Sequence, residues 1–164
     1  MKILSIIPDT IVDGPRMRSS IYVSGCWHKC KNCHNPSSWN PENGKDMTFE
    51  EIINKIISYG HKYLTISGGC PFCHQVKDVV KLVRSLKEKI PEIDVLVYTG
   101  YTLEELEQNG SKDQRELLKL IDGLIDGKFV ESLRDESCLF RGSTNQRYWT
   151  KTIDGEFTLD NGYN

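Results

Sequence analysis

The feature that most constrains the fold is the alternation of short apolar runs with amphipathic stretches. Four runs have the length and composition of strands, and they cover residues 21–24, 63–67, 94–99 and 123–126. Helical spacing of apolar residues lies between them, over residues 48–60, 75–89 and 112–120. This alternation predicts an α/β fold with right-handed crossovers and a mostly parallel sheet. Four or five such units are too few for a closed eight-stranded barrel, so we predict an open, partial (β/α) barrel.

Local signals predict where two helices begin. Thr48 and Glu51 have the spacing of a capping box, in which each side chain binds the other's main-chain amide. Thr102 and Glu105 repeat that spacing. Gly60 marks the end of the first helix, because glycine adopts the left-handed conformation that commonly terminates helices.

Length and charge indicate one ordinary domain. The chain has 164 residues, and 21 Lys and Arg against 23 Asp and Glu give a net charge of −2. We predict a single domain over residues 1–164, with an irregular tail from about residue 130 and a hairpin near Tyr148 and Phe157. The charge balance lacks the basic excess that favours nucleic acid, and no apolar run approaches the ~20 residues that span a bilayer. Because Pro8 and Asp9 interrupt the first apolar stretch, we expect no secretion signal and a cytoplasmic location.

Cysteine spacing is the strongest chemical signal in the chain. Cytoplasmic thiols stay reduced, so clustered cysteines favour metal binding or redox chemistry over structural disulfides. Five of the six cysteines fall in two tight clusters, and the sixth stands alone; in chain order they are Cys26, Cys30, Cys33, Cys70, Cys73 and Cys138.

The first cluster has the spacing C-x₃-C-x₂-C, which fits two kinds of metal centre. A structural zinc site needs a fourth ligand, which His28, His34 or Cys73 could supply. A [4Fe–4S] cluster uses one ligand per iron, so three cysteines would leave one iron open for chemistry. Spacing alone leaves both readings open.

The cysteine loop, Cys26–Cys33, follows a predicted strand and resembles that of the radical S-adenosylmethionine superfamily. Over residues 11–149 the chain further resembles one branch, the activating proteins of anaerobic (class III) ribonucleoside-triphosphate reductases. The block Arg-Gly-Ser-x-Asn-Gln-Arg at residues 141–147 points to this branch most directly. The other segments that carry the resemblance are Val12–Pro15, Val23–Cys26, Cys33–Pro36, Ser67–Gly69, Tyr98–Tyr101 and Asp126–Phe129.

The resemblance implies a specific reaction and partner. Cys26, Cys30 and Cys33 would hold three irons, and the amino and carboxylate groups of S-adenosylmethionine would chelate the fourth. One electron, from a donor such as flavodoxin or ferredoxin, would cleave the sulfonium and release a 5′-deoxyadenosyl radical. That radical would take a hydrogen from a glycine of the partner reductase. Asn32 and His34 would line the adenine side of the cofactor.

The second cluster lies at a glycine turn. In the family, the turn at Gly68–Gly69 meets the methionine end of S-adenosylmethionine and is followed by a carboxylate, where this chain has Cys70. Cys70 and Cys73 also form a C-x-x-C motif, which fits two small buried residues, a dithiol or auxiliary metal site, or a direct role at the cofactor.

Two other functions stay open at this point. The chain could activate a different glycyl-radical enzyme, or it could be a zinc-binding interaction module without catalysis. We also hypothesise that the block Arg141–Arg147 helps to dock the reductase.

Overall fold

The computed structural model describes residues 1–163 as one α/β fold with eight strands and four α-helices. The strands are β1 (Lys2–Thr10), β2 (Arg18–Val23), β3 (Lys45–Asp46), β4 (Tyr63–Gly68), β5 (Asp94–Tyr98), β6 (Gly123–Asp126), β7 (Arg147–Lys151) and β8 (Phe157–Leu159). The α-helices are α1 (Phe49–Tyr59), α2 (Val76–Lys89), α3 (Leu103–Asn109) and α4 (Lys112–Leu120). Short 3₁₀ turns cover Pro36–Trp39, Pro41–Asn43 and Glu131–Leu133.

All eight strands form one mixed sheet in the order β3-β1-β2-β4-β5-β6-β7-β8. The α/β class is confirmed, but the prediction of a mostly parallel sheet is wrong. Only the central pairs β2–β4, β4–β5 and β5–β6 are parallel. The four remaining pairs, two on each side, are antiparallel. The further assignment to a partial barrel stays a prediction.

The antiparallel edges arise where no helix separates consecutive strands. After β1 the chain reverses through residues 11–17, so β2 returns beside it with Thr10 opposite Arg18. At the other edge, β7 pairs with β6 and β8 folds back on β7, which confirms the hairpin near Tyr148 and Phe157. Antiparallel neighbours can be joined by short turns, whereas parallel ones need a crossover. The tail that we predict to be irregular from about residue 130 is therefore irregular only up to the start of β7 at Arg147.

Both predicted capping boxes are present. The Thr48 side chain accepts a hydrogen bond from the amide of Glu51, and the Glu51 carboxylate accepts one from the amide of Thr48. Thr102 and Glu105 do the same at the start of α3. Gly60 ends α1 in the left-handed conformation, with φ of 73°.

The parallel strands form the centre of the hydrophobic core. Residues of β4 and β5 that face the helices are fully buried, and α2 and α4 pack on that side through their apolar faces. The carboxyl ends of β2, β4, β5 and β6 meet at one edge of the sheet. In open α/β sheets ligands bind at this edge, so the fold brings the cysteine and glycine segments to the expected place.

Across residues 1–163, none of the helices combines the length and the apolar character that a membrane span requires.

Candidate functional site

Main-chain hydrogen bonds join the first cysteine loop to the glycine turn. The amide of Gly69 donates to the carbonyl of Val23 at 2.7 Å, and the amide of Cys70 donates to that of Gly25 at 3.0 Å. Gly25 in turn donates to Ser38 at 2.7 Å, in the first 3₁₀ turn. The ends of β2 and β4 are therefore fixed to each other beyond the last residues of their ladder.

This contact is possible only because the turn carries no side chains. A Cβ atom on Gly68 would lie 2.5 Å from the carbonyl oxygen of Val23, and one on Gly69 would lie 2.6 Å from that of Gly25. Gly68 also has a φ of 98°, which non-glycine residues rarely adopt. The glycines therefore let backbone meet backbone, as the sequence pattern suggests.

The first three cysteines lie together on a tightly wound loop. Cys26 is buried, whereas Cys30 and Cys33 are partly exposed and linked by a turn in which the amide of Cys33 donates to Cys30 at 3.1 Å. Lys29 and Asn32 adopt left-handed backbone conformations, with φ of 46° and 55°, which keep the loop compact.

The electrostatics of the loop favour a bound cation. Burial raises the pKa of the Cys30 thiol, and the neighbouring Cys33 and Cys26 raise it further. Three thiolates on one eight-residue loop, Cys26–Cys33, repel one another unless a positive centre lies among them. All three cysteines are free thiols, and three sulfur ligands with one further position suit an iron–sulfur cluster that binds a substrate. The residues present therefore fit a [4Fe–4S] cluster.

A cavity of about 590 Å³ opens beside this loop. Ligand pockets of drug-sized molecules have volumes of roughly 300–1,000 Å³, so the cavity can take a ligand of nucleoside size. Of the predicted site residues, Cys33, His34 and Gly68 line it. Cys26, Cys30, Asn32, Gly69 and Cys70 do not line the cavity.

His34 and Asn32 point to different places. The His34 ring packs on Phe129 with ring centroids 4.9 Å apart, and it faces the cavity. Gly142 makes room for that ring, because a Cβ atom there would lie 2.9 Å from His34 Cε1. The Asn32 amide instead donates a hydrogen bond to the carboxylate of Glu131 in the third 3₁₀ turn.

Sequence reasoning assigned no role to several polar residues that line the cavity. Asp13 accepts hydrogen bonds from Ser20 Oγ at 2.9 Å and from Tyr22 Oη at 2.5 Å. Burial and the bond to Asp13 raise the pKa of Tyr22 well above its usual range. Tyr98 Oη donates to the carbonyl of Phe140 at 2.7 Å. The sequence shows Tyr22 only as part of the apolar run that forms β2, and nothing in that run indicates its hydrogen-bond partner Asp13, which lies in the segment before it.

The second cluster lies behind the glycine turn. Cys70 and Cys73 are each 2% exposed, and Cys70 Sγ lies 3.4 Å from Thr99 Oγ1. Burial alone would raise the pKa of Cys70, but its contacts with Cys73 and with the His28 ring lower it. Cys73 also contacts Cys26, and this hydrogen bond lowers the pKa of Cys26. The thiol of Cys70 thus meets other side chains and lies outside the cavity lining.

The two arginines of the C-terminal block have separate environments. Arg141 lines the cavity and donates from Nη1 to the carbonyl of Gln146 at 2.9 Å. Arg147 binds Asp126 and Glu104 in ion pairs of 2.5 and 2.7 Å. The Arg147 guanidinium lowers the pKa of Glu104 to about 2. Arg147 therefore makes contacts within the protein, where it joins the start of β7 to the end of β6 and to α3.

Comparison with known proteins identifies relatives over most of the chain. Residues 12–149 match the family described as 4Fe-4S single cluster domain. The chain is 40% identical over 145 residues to the anaerobic ribonucleoside-triphosphate reductase-activating protein of Escherichia coli (strain K12), covering 85% of this chain and 92% of that protein. It is 37% identical over 159 residues to the protein of that name from Enterobacteria phage T4, covering 94% and 97%. The Haemophilus influenzae protein of the same name is 39% identical over 152 residues, covering 89% and 96%.

Proposed function

Because the chain belongs to the family of anaerobic ribonucleoside-triphosphate reductase-activating proteins, we propose that it is a radical S-adenosylmethionine activase for such a reductase. When bound, a [4Fe–4S] cluster would pass one electron from a reductant to S-adenosylmethionine, and the chemistry that it supplies would lead to removal of a hydrogen atom from a glycine of the reductase. The observation that carries the proposal is the position of the three-cysteine loop at the edge of the 590 Å³ cavity, with Cys33 in its lining.

The protein's own residues have separable tasks in this proposal. Cys26, Cys30 and Cys33 hold the cluster, and His34 and Gly68 shape the wall of the cavity. The glycine turn keeps that wall at the end of β2 through the bond from Gly69. The apolar wall that Phe129, Leu139 and Phe140 contribute limits access of water to the bound cofactor.

Arg141 supplies the positive charge in the cavity. Among the described residues of the lining, it is the one Lys or Arg side chain, and Asp13 and Glu136 are the carboxylates. We assign Arg141 to the carboxylate end of S-adenosylmethionine, because an arginine binds carboxylates through charge-assisted hydrogen bonds. We assign the Asp13 carboxylate, which also lines the cavity, to bind a positively charged group of the same ligand.

The finer parts of the proposal rest on family resemblance. A low-potential donor such as flavodoxin or ferredoxin supplies the electron, and the reaction takes place in the cytoplasm. We propose that the three parallel strand pairs are the part of the sheet that corresponds to the partial barrel of the superfamily; the antiparallel strands lie on both sides of them. Three predicted cofactor-binding residues lie outside the cavity lining: Asn32, Gly69 and Cys70. They affect the cofactor only by shaping the cysteine loop and the glycine turn to which they belong.

Anaerobic reconstitution followed by an assay for 5′-deoxyadenosine tests the proposed function. We expect formation of 5′-deoxyadenosine from S-adenosylmethionine in the presence of a reductant, and a glycyl radical signal by electron paramagnetic resonance when the reductase is added. A different glycyl-radical enzyme, added in place of the reductase, serves as the specificity control. Protein that binds only zinc, lacks colour and forms no 5′-deoxyadenosine would instead be an interaction module.

A further inference from the structure

Three potential metal ligands converge behind the glycine turn. One ligand atom each from His28, Cys70 and Cys73 lies within 4.8 Å of the other two. We propose that these three side chains form a second metal site, which uses none of the thiolates of Cys26, Cys30 and Cys33 and binds one divalent cation of zinc type. This site gives the C-x-x-C motif a function that the radical chemistry does not require.

The chemistry of the three ligands selects the class of metal. Two thiolates and one imidazole are the ligands that zinc prefers, whereas calcium and magnesium bind oxygen. The sulfur atoms belong to residues that are 2% exposed, so the bound ion would be shielded from water on that side. His28 Nε2 is itself buried and has no hydrogen-bond partner at ordinary distance and angle. A buried polar atom without a partner lowers the stability of the fold, and coordination of a cation would give this nitrogen a partner.

Neighbouring residues hold each ligand in place. Cys70 and Cys73 are the ends of one turn, in which the amide of Cys73 donates to the carbonyl of Cys70 at 2.8 Å. The buried Gln114 side chain fixes that turn by donating to the carbonyl of Phe72 at 2.8 Å. Thr99 Oγ1, at 3.4 Å from Cys70 Sγ, can donate to a metal-bound thiolate. Such outer partners orient ligands and raise metal affinity.

The His28 ring is positioned from both sides. It packs edge-on against Tyr101, with ring centroids 4.5 Å apart and an interplanar angle of 76°. On its other side the ring lies against Gly100, where a Cβ atom would be 2.4 Å from His28 Cδ2. The ring therefore cannot move away from the two thiols without losing these contacts.

Three protein ligands leave a fourth position of the tetrahedral zinc geometry for a small exchangeable ligand. Cys26 contacts Cys73, but the cluster requires Cys26, so we do not count it as a ligand of the second ion. Binding of the metal releases the thiol protons of Cys70 and Cys73 to the solvent, because thiolates are the ligands.

Metal analysis of the anaerobically reconstituted full chain tests the site. We expect about four irons and about one zinc per chain. Cys70→Ser/Cys73→Ser should keep the iron and lose the zinc, whereas Cys30→Ala/Cys33→Ala should lose the iron and keep the zinc. Cys138→Ser is the matched control and should keep both. Because iron and zinc are counted separately, failure of this site is distinguishable from failure of the cluster.

Cobalt binding to Cys30→Ala/Cys33→Ala gives a second readout. We expect thiolate-to-cobalt charge-transfer absorption and the visible bands of a tetrahedral ion. On this background His28→Gln should change the visible bands, and Thr99→Val should lower cobalt affinity roughly 10-fold through the outer contact. Far-UV circular dichroism checks that each variant is folded.

Three results would overturn the proposal. One is zinc that stays in Cys70→Ser/Cys73→Ser. Another is protein that keeps iron but never takes up zinc or cobalt. The third is a Cys70–Cys73 disulfide in anaerobically purified chain, detected by mass spectrometry, which would assign the motif to redox chemistry.

Discussion

The amide of Gly69 donates a 2.7 Å hydrogen bond to the carbonyl of Val23, so the turn after β4 is fixed directly to the end of β2. The cysteine loop begins three residues after Val23, and the cavity wall includes Gly68. A small displacement of this turn therefore changes the position of the cysteine loop relative to the cavity.

We predict that Gly69→Ala removes S-adenosylmethionine binding. Its Cβ would lie 2.6 Å from the carbonyl oxygen of Gly25 and 2.9 Å from that of Ser38, and neither backbone segment can give way alone. The control is Gly60→Ala, where φ is 73° but no atom lies within 4 Å, so only backbone strain of about 1 kcal/mol is expected. Calorimetric titration of both reconstituted variants checks this. Equal cofactor affinity in the two variants would contradict the steric argument.

We predict that Cys26→Ala, Cys30→Ala and Cys33→Ala each lose the cluster and all cleavage of S-adenosylmethionine. Each cysteine supplies the thiolate for one iron, so no neighbour can replace it. Cys138→Ala should retain normal iron content, although Cys138 also borders the cavity. Iron and sulfide analysis with the visible spectrum measures the outcome. Iron lost from Cys138→Ala but retained in Cys33→Ala would show that the ligands are wrongly assigned.

Features that depend on a few neighbouring residues were predictable from the sequence. The capping boxes at Thr48 and Thr102 need only a residue three positions away, and both are present. The sheet edges were not predictable in this way. β1 contains Pro8 and shifts register against β2 between Ile7 and Thr10, so it lacks the regular alternation of a strand.

In the candidate site, too, features set by neighbouring residues were predictable, whereas contacts between distant segments were not. Spacing alone brings Cys26, Cys30 and Cys33 onto one loop, and the structure confirms that loop's position at the carboxyl ends of the strands. The direction of the Cys70 side chain depends on Thr99, which lies on the next strand's exit, and on His28 in the cysteine loop. The sequence of the C-x-x-C motif alone cannot predict the contacts with Thr99 and His28.

We predict that Arg141→Ala weakens S-adenosylmethionine binding roughly 10–100-fold, because a hydrogen bond to a charged group contributes about 1.5–3 kcal/mol. Arg141→Lys should recover part of the loss, since it restores the charge without the planar geometry. Arg134→Ala is the control, because Arg134 is half exposed and outside the cavity lining. Unchanged cofactor affinity with impaired glycyl-radical formation would return Arg141 to a docking role.

We predict that Arg147→Ala lowers the free energy of unfolding by about 3 kcal/mol, because it leaves the buried carboxylate of Asp126 without its cation. Within residues 1–163, Asp126 would retain only the bond from the amide of Leu103. The control Arg84→Ala breaks a half-exposed pair with Glu116 and should cost under about 1 kcal/mol. Urea unfolding measures both. A stable Arg147→Ala variant that fails to activate the reductase would support docking and refute the internal role.

We predict that Glu104 stabilises the fold at neutral pH and loses this effect in acid. Arg147 lowers the pKa of Glu104 to about 2, whereas the unfolded chain has a glutamate pKa of about 4.3. A lowered carboxyl pKa gives stability that is complete above the unfolded value and disappears as pH falls toward the folded value. The Glu104 side chain is 51% exposed, so solvent screening limits the contribution to about 1 kcal/mol or less.

The measurement compares urea unfolding of the native chain and Glu104→Gln at several pH values from about 6 downward. The difference between them should be constant above about pH 5 and shrink steadily below about pH 4. Glu136→Gln is the control, since Glu136 is 83% exposed and pairs with a surface arginine, Arg134. A difference that stays constant down to about pH 3 would mean that Arg147 stabilises the sheet edge through Asp126 alone.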